Sequence, residues 1–306
     1  MTTSRLTVSI VIPNWNGAKL LRKNLPAVIA AANGAEIVVA DDASVDDSIG
    51  VLAKEFPGIV RVENKKQKGF AGNVNSGVAK TTGDIVVLLN TDVCPQKDFL
   101  APLLAAFVAD DTLAAVGCLE KSHEKNGVVL RGRGVARWEK GFFIHAKGEV
   151  TKTDTAWVSG GSAAYRRSVW NTLGGMDTIY NPFYWEDIDL SYQILKAGYS
   201  IRFEPKSIVD HYHEEGAIKT SYTPETVKRI VYRNQFLFLW KNISDVSLWL
   251  MHCLWMPVRL VQAAIVGDTA MVYGYAMIFR MFPALYKSRL RASRHWRRRD
   301  SSIFPS

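Results

Sequence analysis

The strongest constraint on this chain is the alternation, through its amino-terminal third, of short, nearly continuous apolar runs with segments of helical periodicity. Thr7–Ile12 (TVSIVI), Glu36–Ala40 (EIVVA), Ile59–Val62 and Asp84–Leu89 (DIVVLL) read as strands rich in β-branched residues. Between them, Ala18–Ala32, Ser48–Glu55 and Ala71–Lys80 read as helices, with Pro26 kinking the first or opening a second one. Leu100, Leu103, Leu104, Phe107 and Val108 then fall on one helical face. Apolar strands alternating with helices imply an α/β fold, a mostly parallel sheet covered on both faces. Ligands of such sheets sit beyond the carboxyl ends of the strands. The residues there are Asn14–Asn16, Asp41–Ser44, Asn64–Asn75 and Asn90–Asp92.

The middle, about 115–220, is less regular, with short helices over Arg166–Leu173 and Glu186–Ala197 capped by glycines. From 223 the character changes again. Glu225–Lys241 reads as a helix, and apolar runs at 246–258 and 269–279 follow. Arg259, Asp268 and Arg280 interrupt them, and Pro257 and Pro283 are expected to break their helices, so neither run is expected to span a bilayer. The net charge of +9 is uneven: the seven Lys and Arg of residues 287–299 leave 31 basic against 29 acidic residues elsewhere. A body near neutrality argues against nucleic acid as the partner. Three scattered cysteines form neither a disulfide framework nor a zinc site, which suits a reducing, cytoplasmic compartment. The expected organisation is a domain over 1–222, with halves 1–115 and 116–222, and a helical, basic, membrane-associated region over 223–306.

Several clusters carry chemistry, each with a plainer alternative. Asp41-Asp42 follows a strand and can accept the imide N–H of a pyrimidine, or simply close a turn. Asn90-Thr91-Asp92 ends the most apolar strand; its carboxylate can hold a divalent cation against a diphosphate, or satisfy turn amides. Trp185-Glu186-Asp187-Ile188-Asp189 opens a helix after an aromatic loop. Acids are favoured in a first turn by the helix dipole. Beside an apolar wall, a carboxylate is also raised toward the range of a general base. His211-Tyr212-His213 offers imidazole, a metal ligand or a surface loop.

Their order is more telling than any one of them. Val8–Gly17 (VSIVIPNWNG), Val38–Ser44 (VVADDAS), Lys68–Gly77 (KGFAGNVNSG), Leu88–Asp92 (LLNTD), Ser159–Ala163 (SGGSA), Gly174–Asp177 (GGMD) and Trp185–Leu190 (WEDIDL) follow one another as in glycosyltransferase family 2. The chain thus resembles inverting enzymes of the GT-A fold, most of all the bacterial rhamnosyltransferase type, over residues 6–216. The resemblance implies that Pro13, Asn14, Trp15 and Asn16 line a nucleotide pocket. Asp41 or Asp42 would contact the base. The Gly69–Asn75 loop, with Phe70 and Asn73, would lie along the nucleoside. Gly160 and Gly161 would admit the donor sugar, with Glu186 beside it. Asp92 would bind Mg²⁺ or Mn²⁺, Asn90 standing where the family's D-x-D motif often has its first acid. His211 would be the second ligand, with His213 as the fallback, and Asp187 the base.

An inverting displacement follows from that assignment. The donor would be a UDP- or dTDP-linked sugar and the acceptor a glycan or lipid-linked hydroxyl. The enzyme would sit peripherally at the inner face of the cell membrane. Two other readings remain in view: a nucleotide-sugar-binding scaffold without activity, and a nucleotidyltransferase. The second would carry a Gly-rich, basic loop after the first strand, where this chain has Pro13-Asn14-Trp15-Asn16-Gly17.

Overall fold

The computed structural model describes residues 6–212 and 221–304. Strands β1 (Val8–Asn14), β2 (Glu36–Asp41), β3 (Val60–Glu63) and β4 (Ile85–Leu89) run parallel in the order β3-β2-β1-β4. Helices α1 (Ala18–Ala31), α2 (Ser48–Glu55) and α3 (Gly69–Val78) join them. Every residue of β4 is fully buried, as a strand covered on both faces must be. Successive side chains go to opposite faces. Ile10, Ile12, Val39, Val87 and Leu89 meet α1, α2 and α4 (Leu100–Ala109). Val11, Val38, Val86 and Leu88 pack with Val74 of α3, Trp170 of α5 (Arg167–Leu173) and Leu190 of α6 (Glu186–Lys196). On α4 the predicted face holds for Leu100, Leu103 and Phe107, while Val108 is 67% exposed.

Beyond β4 the sheet continues with β10 (Ser162–Arg166) antiparallel to it, then β6 (Leu113–Glu124), β11 (Ser200–His211) and β5 (Val93–Pro95). β7 (Gly127–Arg131) pairs with β6, and β8 (Gly134–Glu139) and β9 (Phe142–Lys147) form a separate hairpin. Residues 113–147 are therefore strands where the sequence pattern reads as irregular. In the hairpin of residues 134–147, polar residues stand among aromatic ones because it packs on a neighbour rather than joining the main sheet.

That neighbour is helical. α7 (Pro224–Asn242), α8 (Val246–Ile265) and α9 (Thr269–Ser293) follow, and Phe236 and Phe238 of α7 share a core with Phe142 and Phe143 of β9 and with Trp185 and Tyr192. Pro26 sits inside α1, which runs as one helix, and contrary to expectation Pro257 and Pro283 also sit inside continuous helices. A proline forfeits one helical hydrogen bond. On α9 the buried Ile278, Leu285 and Ser288 hold the helix in place across that gap. By length and composition α8 is long and apolar enough to cross a bilayer, because it runs on through Pro257, where the pattern alone would stop it. Nor is the basic run 287–299 a free tail. Arg297 and Arg298 donate their backbone N–H to the Lys196 carbonyl at 2.7 and 3.0 Å, capping α6. Asp300, fully buried, pairs with Lys196 at 2.7 Å and accepts from Tyr192 and Ser244.

Candidate active site

A cavity of about 670 Å³ opens at the carboxyl ends of β1, β2 and β4. It gathers Pro13, Asn14, Trp15, Asp42, Gly69, Phe70, Asn73, Asn90, Asp92, Gly160, Gly161, Glu186, Asp187 and His211. Gln67, Asn181, Tyr184 and Tyr222 add to its wall. Three of the residues singled out in the sequence are not in its lining: Asn16, Asp41 and Asn75. His213 lies outside the described residues.

Local bonding explains the division. Asp41 accepts from Asn14 Nδ2 at 2.7 Å and from the Ser44 amide at 2.9 Å, so its carboxylate closes a turn. Asn16, at φ 52°, donates its amide to Ser44 Oγ at 2.8 Å, and its side chain accepts from the Val45 amide, also at 2.8 Å. Asp42 faces the cavity and accepts the amides of Lys68 and Gly69 at 2.7 and 2.9 Å. Burial nevertheless raises its pKa. Gly69 has φ +71°, and a Cβ there would meet Asn181 Oδ1 at 2.6 Å, so the chain can turn into α3 beside the cavity only without a side chain. Asn73 stitches α3 to the sheet through the carbonyls of Ala40 and Asn14, while Asn75 faces away and pins the backbone of Met176.

Asp187 stands in the first turn of α6. Tyr184 and Trp185, just before it, have φ of 68° and 77°, a left-handed pair that costs on the order of 1–3 kcal/mol each and swings the acids toward the cavity. Asp187 accepts the Gly160 amide at 3.1 Å and the Ile188 amide at 2.8 Å. Burial raises its pKa, the two amides opposing the rise. Burial and then the Asp187 charge push Glu186 up to about 8. Two adjoining buried carboxyls cannot both ionise cheaply, so the pair holds a proton near neutral pH.

At another part of the wall, His211 Nε2 lies 3.4 Å from Asp92 Oδ1 and His211 Nδ1 lies 3.3 Å from Glu120 Oε2. Burial alone would lower His211; the two carboxylates outweigh it and push it up to about 9. Glu120, only 4% exposed and held from behind by Ser162, is the residue the sequence reading misses. Its signal was an acid ending an eight-residue stretch, Leu113–Glu120, of otherwise apolar or small residues. Among the described residues no cluster of three or more His, Cys, Asp or Glu is arranged to hold a metal, so protein donors here come to one carboxylate and one imidazole.

Buried polar atoms are nearly always satisfied within a protein. Here Asn14 Oδ1, Trp15 Nε1, Asn90 Oδ1, Asn181 Oδ1 and Glu186 Oε2, all on cavity residues, have no protein hydrogen-bond partner. Such atoms are what a polar ligand engages. A switch-point cavity of this kind, edged by carboxylates, defines an α/β protein that handles a polar, nucleotide-sized molecule.

Comparison with known proteins is more specific. The family model described as glycosyl transferase family 2 matches residues 9–174, and the chain belongs to that family. The pre-mycofactocin glycosyltransferase of Mycobacterium tuberculosis is 29% identical over 69% of this chain and 43% of its own length. The O-antigen chain rhamnosyltransferase RfbN of Salmonella typhimurium is 26% identical over 72% of this chain and 68% of its own. Among solved structures, GalNAc-T7 with UDP, GalNAc and Mn²⁺ superposes with a TM-score of 0.60 at 21% identity, covering 78% of this chain and 48% of that one. The mannosyltransferase PcManGT from Pyrobaculum calidifontis, with GDP-Man and Mn²⁺, gives 0.56 at 18% identity over 95% and 87%. The fold is GT-A. The chain spans less than half the length of some of the proteins it matches.

Proposed function

We propose that this chain transfers a sugar from a UDP- or dTDP-linked donor to an acceptor hydroxyl, with inversion at the anomeric carbon. The observation that carries the reading is that one cavity joins a carboxyl of raised proton affinity, Asp187, to the Asp92–His211 pair. Asp187 takes the acceptor proton as the hydroxyl attacks, the Gly160 and Ile188 amides holding its oxygens in line. Asp42, on the cavity wall, suits the nucleoside end. Phe70 and Trp15 supply apolar walls, and Asn90 and Glu186 offer unpaired oxygens to donor hydroxyls.

Asp92 and His211 fit a hard divalent cation that leaves its other positions to a diphosphate, and Glu120 behind His211 orients the ring as carboxylates behind metal-bound imidazoles do. Mg²⁺ or Mn²⁺ bound there would neutralise charge developing on the leaving diphosphate. Mn²⁺ beside a nucleotide or nucleotide sugar in the two solved relatives supports this. The likeness to an O-antigen chain rhamnosyltransferase supports a glycan acceptor, which this reading takes to be lipid-linked and met at the cytoplasmic face of the membrane.

Incubation with Mn²⁺ and a panel of UDP- and dTDP-sugars tests the reading. Slow release of nucleoside diphosphate without acceptor is expected. Chelator should stop it, and Mn²⁺ should restore it in the chelated wild type but not in Asp92→Ala. Release undiminished in excess chelator would sink the metal assignment; no release with any donor would sink the activity.

A further inference from the structure

In α8 only His252 and Ala263 are buried. Val246, Leu250, Leu254, Val261 and Ile265 are 71, 68, 70, 59 and 78% exposed, and their spacing puts them on one helical stripe. α9 exposes Phe279, Phe282 and Tyr286 on one face, each more than half exposed. Soluble surfaces rarely leave so much contiguous apolar area to water. Between Val246 and Arg299 the chain has nine Lys and Arg and a single acid, Asp268, which is engaged by Lys228 and Tyr232. Arg280 and Lys287 on α9, and Arg294 just past its end, stand exposed beside the apolar stripe.

We infer that the outer faces of α8 and α9 form a docking surface for a bilayer containing anionic lipid, with both helices lying in the interfacial plane. This rests on the reading above of a transferase that meets its acceptor at a membrane. Charge selects the occupant. A second copy would set this patch against itself, basic rim on basic rim, whereas an anionic headgroup layer complements it. The fastening of α8 selects the geometry. Trp240 Nε1 donates to His252 Nε2 at 3.1 Å, and His252 Nδ1 donates to the Gly141 carbonyl at 2.8 Å. A Cβ on Gly141 would lie 2.6 Å from His252 Cα, so helix and hairpin are in backbone contact. Arg259 lies within α8 with its guanidinium 5.9 Å from the Phe142 ring, and the turn after α8 is tied to α7 through Asp268 and Tyr232. A helix held along its length in this way presents a face to lipid and does not thread through it.

The test is co-flotation of the full chain with phosphatidylcholine vesicles, with or without phosphatidylglycerol. Two variants accompany it: Leu250→Asp/Leu254→Asp/Val261→Asp and Arg280→Gln/Lys287→Gln/Arg294→Gln. The wild type should float with anionic vesicles at low salt and be stripped by alkaline carbonate. The Asp variant should bind on the order of 100-fold more weakly. The Gln variant should bind about tenfold more weakly and lose most of its salt dependence. Donor hydrolysis without vesicles should be unchanged in both, which checks that they fold. Wild type that hydrolyses donor yet ignores anionic vesicles overturns the docking surface and leaves the transferase standing; flotation without hydrolysis supports the surface and fails the transferase. Unchanged binding by the Asp variant overturns the surface, as does a wild-type dimer that the Asp variant splits without either floating. Retention through carbonate overturns the in-plane geometry.

Discussion

The strands at the amino-terminal end and the helices at the other end of the chain are held by different means. β1, β2 and β4 are stabilised by burying apolar side chains on both faces: Ile10, Val38, Val87 and Leu88 are wholly inaccessible. α8 and α9 turn much of their apolar surface outward, and the helical region they belong to adds buried ion pairs to its aromatic core. Lys241 of α7 donates to Asp177 at 2.8 Å and to Asp189 of α6 at 2.6 Å, all three nearly inaccessible. Lys196 at the other end of α6 meets Asp300 in the same way. α6 is thus shared. Its first turn faces the cavity, and its body is clasped by the helical region. Sequence hydrophobicity alone would rank the two regions alike; what separates them is the direction in which it points.

If α6 carries chemistry at one end and fastening along its body, single substitutions should separate the two. Asp187→Asn keeps the shape and removes the proton acceptor, so turnover should fall by roughly 10²–10⁴ with donor affinity and melting temperature little changed. Transfer near the wild-type rate would move the base to Glu186. Lys241→Met removes the cation that two buried acids share, Asp177 keeping only Arg291 at 3.1 Å, and should cost about 3–5 kcal/mol in chemical denaturation. Turnover of the folded protein should change far less than in Asp187→Asn, because Lys241 meets Asp177 and Asp189 away from the cavity lining; unchanged stability would mean that the clasp is decorative. One chemical change made in both regions sharpens the contrast. Leu88→Ala should cost about 2–5 kcal/mol, and Leu254→Ala less than about 0.5, since only the first leaves a cavity.

Titration gives the smallest effect. Asp177 and Asp300 are desolvated, but Lys241 and Lys196 outweigh that and hold both below the usual 3.8. A carboxyl whose folded pKa is depressed contributes stability above its unfolded value, lost as pH falls through the folded one. Amide exchange should therefore show α7–α9 loosening before β1–β4 as pH drops below about 4. Glu186 has the opposite sign: raised to about 8, its contribution is present below the usual 4.5 and fades as pH rises through about 8. Glu186→Gln should flatten the alkaline side of the stability profile, and a profile unchanged there would put the retained proton elsewhere.

How legible each region was follows from the same contrast. β-branched runs such as Ile85–Leu89 can be read because a strand buried on both sides has no polar residue to confuse its period. Asp92, Asp187 and His211 reach one cavity because each ends a strand or opens a helix at the same edge of the sheet. Asp41 and Asp42 could not be told apart from the sequence. Which of two neighbours faces a ligand depends on Asn14 and Ser44, which claim the first. Glu120 stayed hidden because its partner His211 is 91 residues away. The prolines of α8 and α9 misled for a related reason: their local cost is real, but packing from distant segments decides.

The Lys196–Asp300 contact also sets an order of events. The two residues are 104 positions apart in sequence. On a ribosome adding roughly 5–20 residues per second, Lys196 emerges about 5–20 s before its partner exists. The parallel strands can collapse in that interval, but the far end of α6 keeps a cation that has no acid to meet, and Trp185 and Tyr192 along the helix form an aromatic cluster that α7 has yet to cover. A nascent chain therefore exposes this seam until synthesis has passed residue 300, and a stalled or clipped chain offers it to chaperones and proteases while the cavity, a helix length away, is already taking shape.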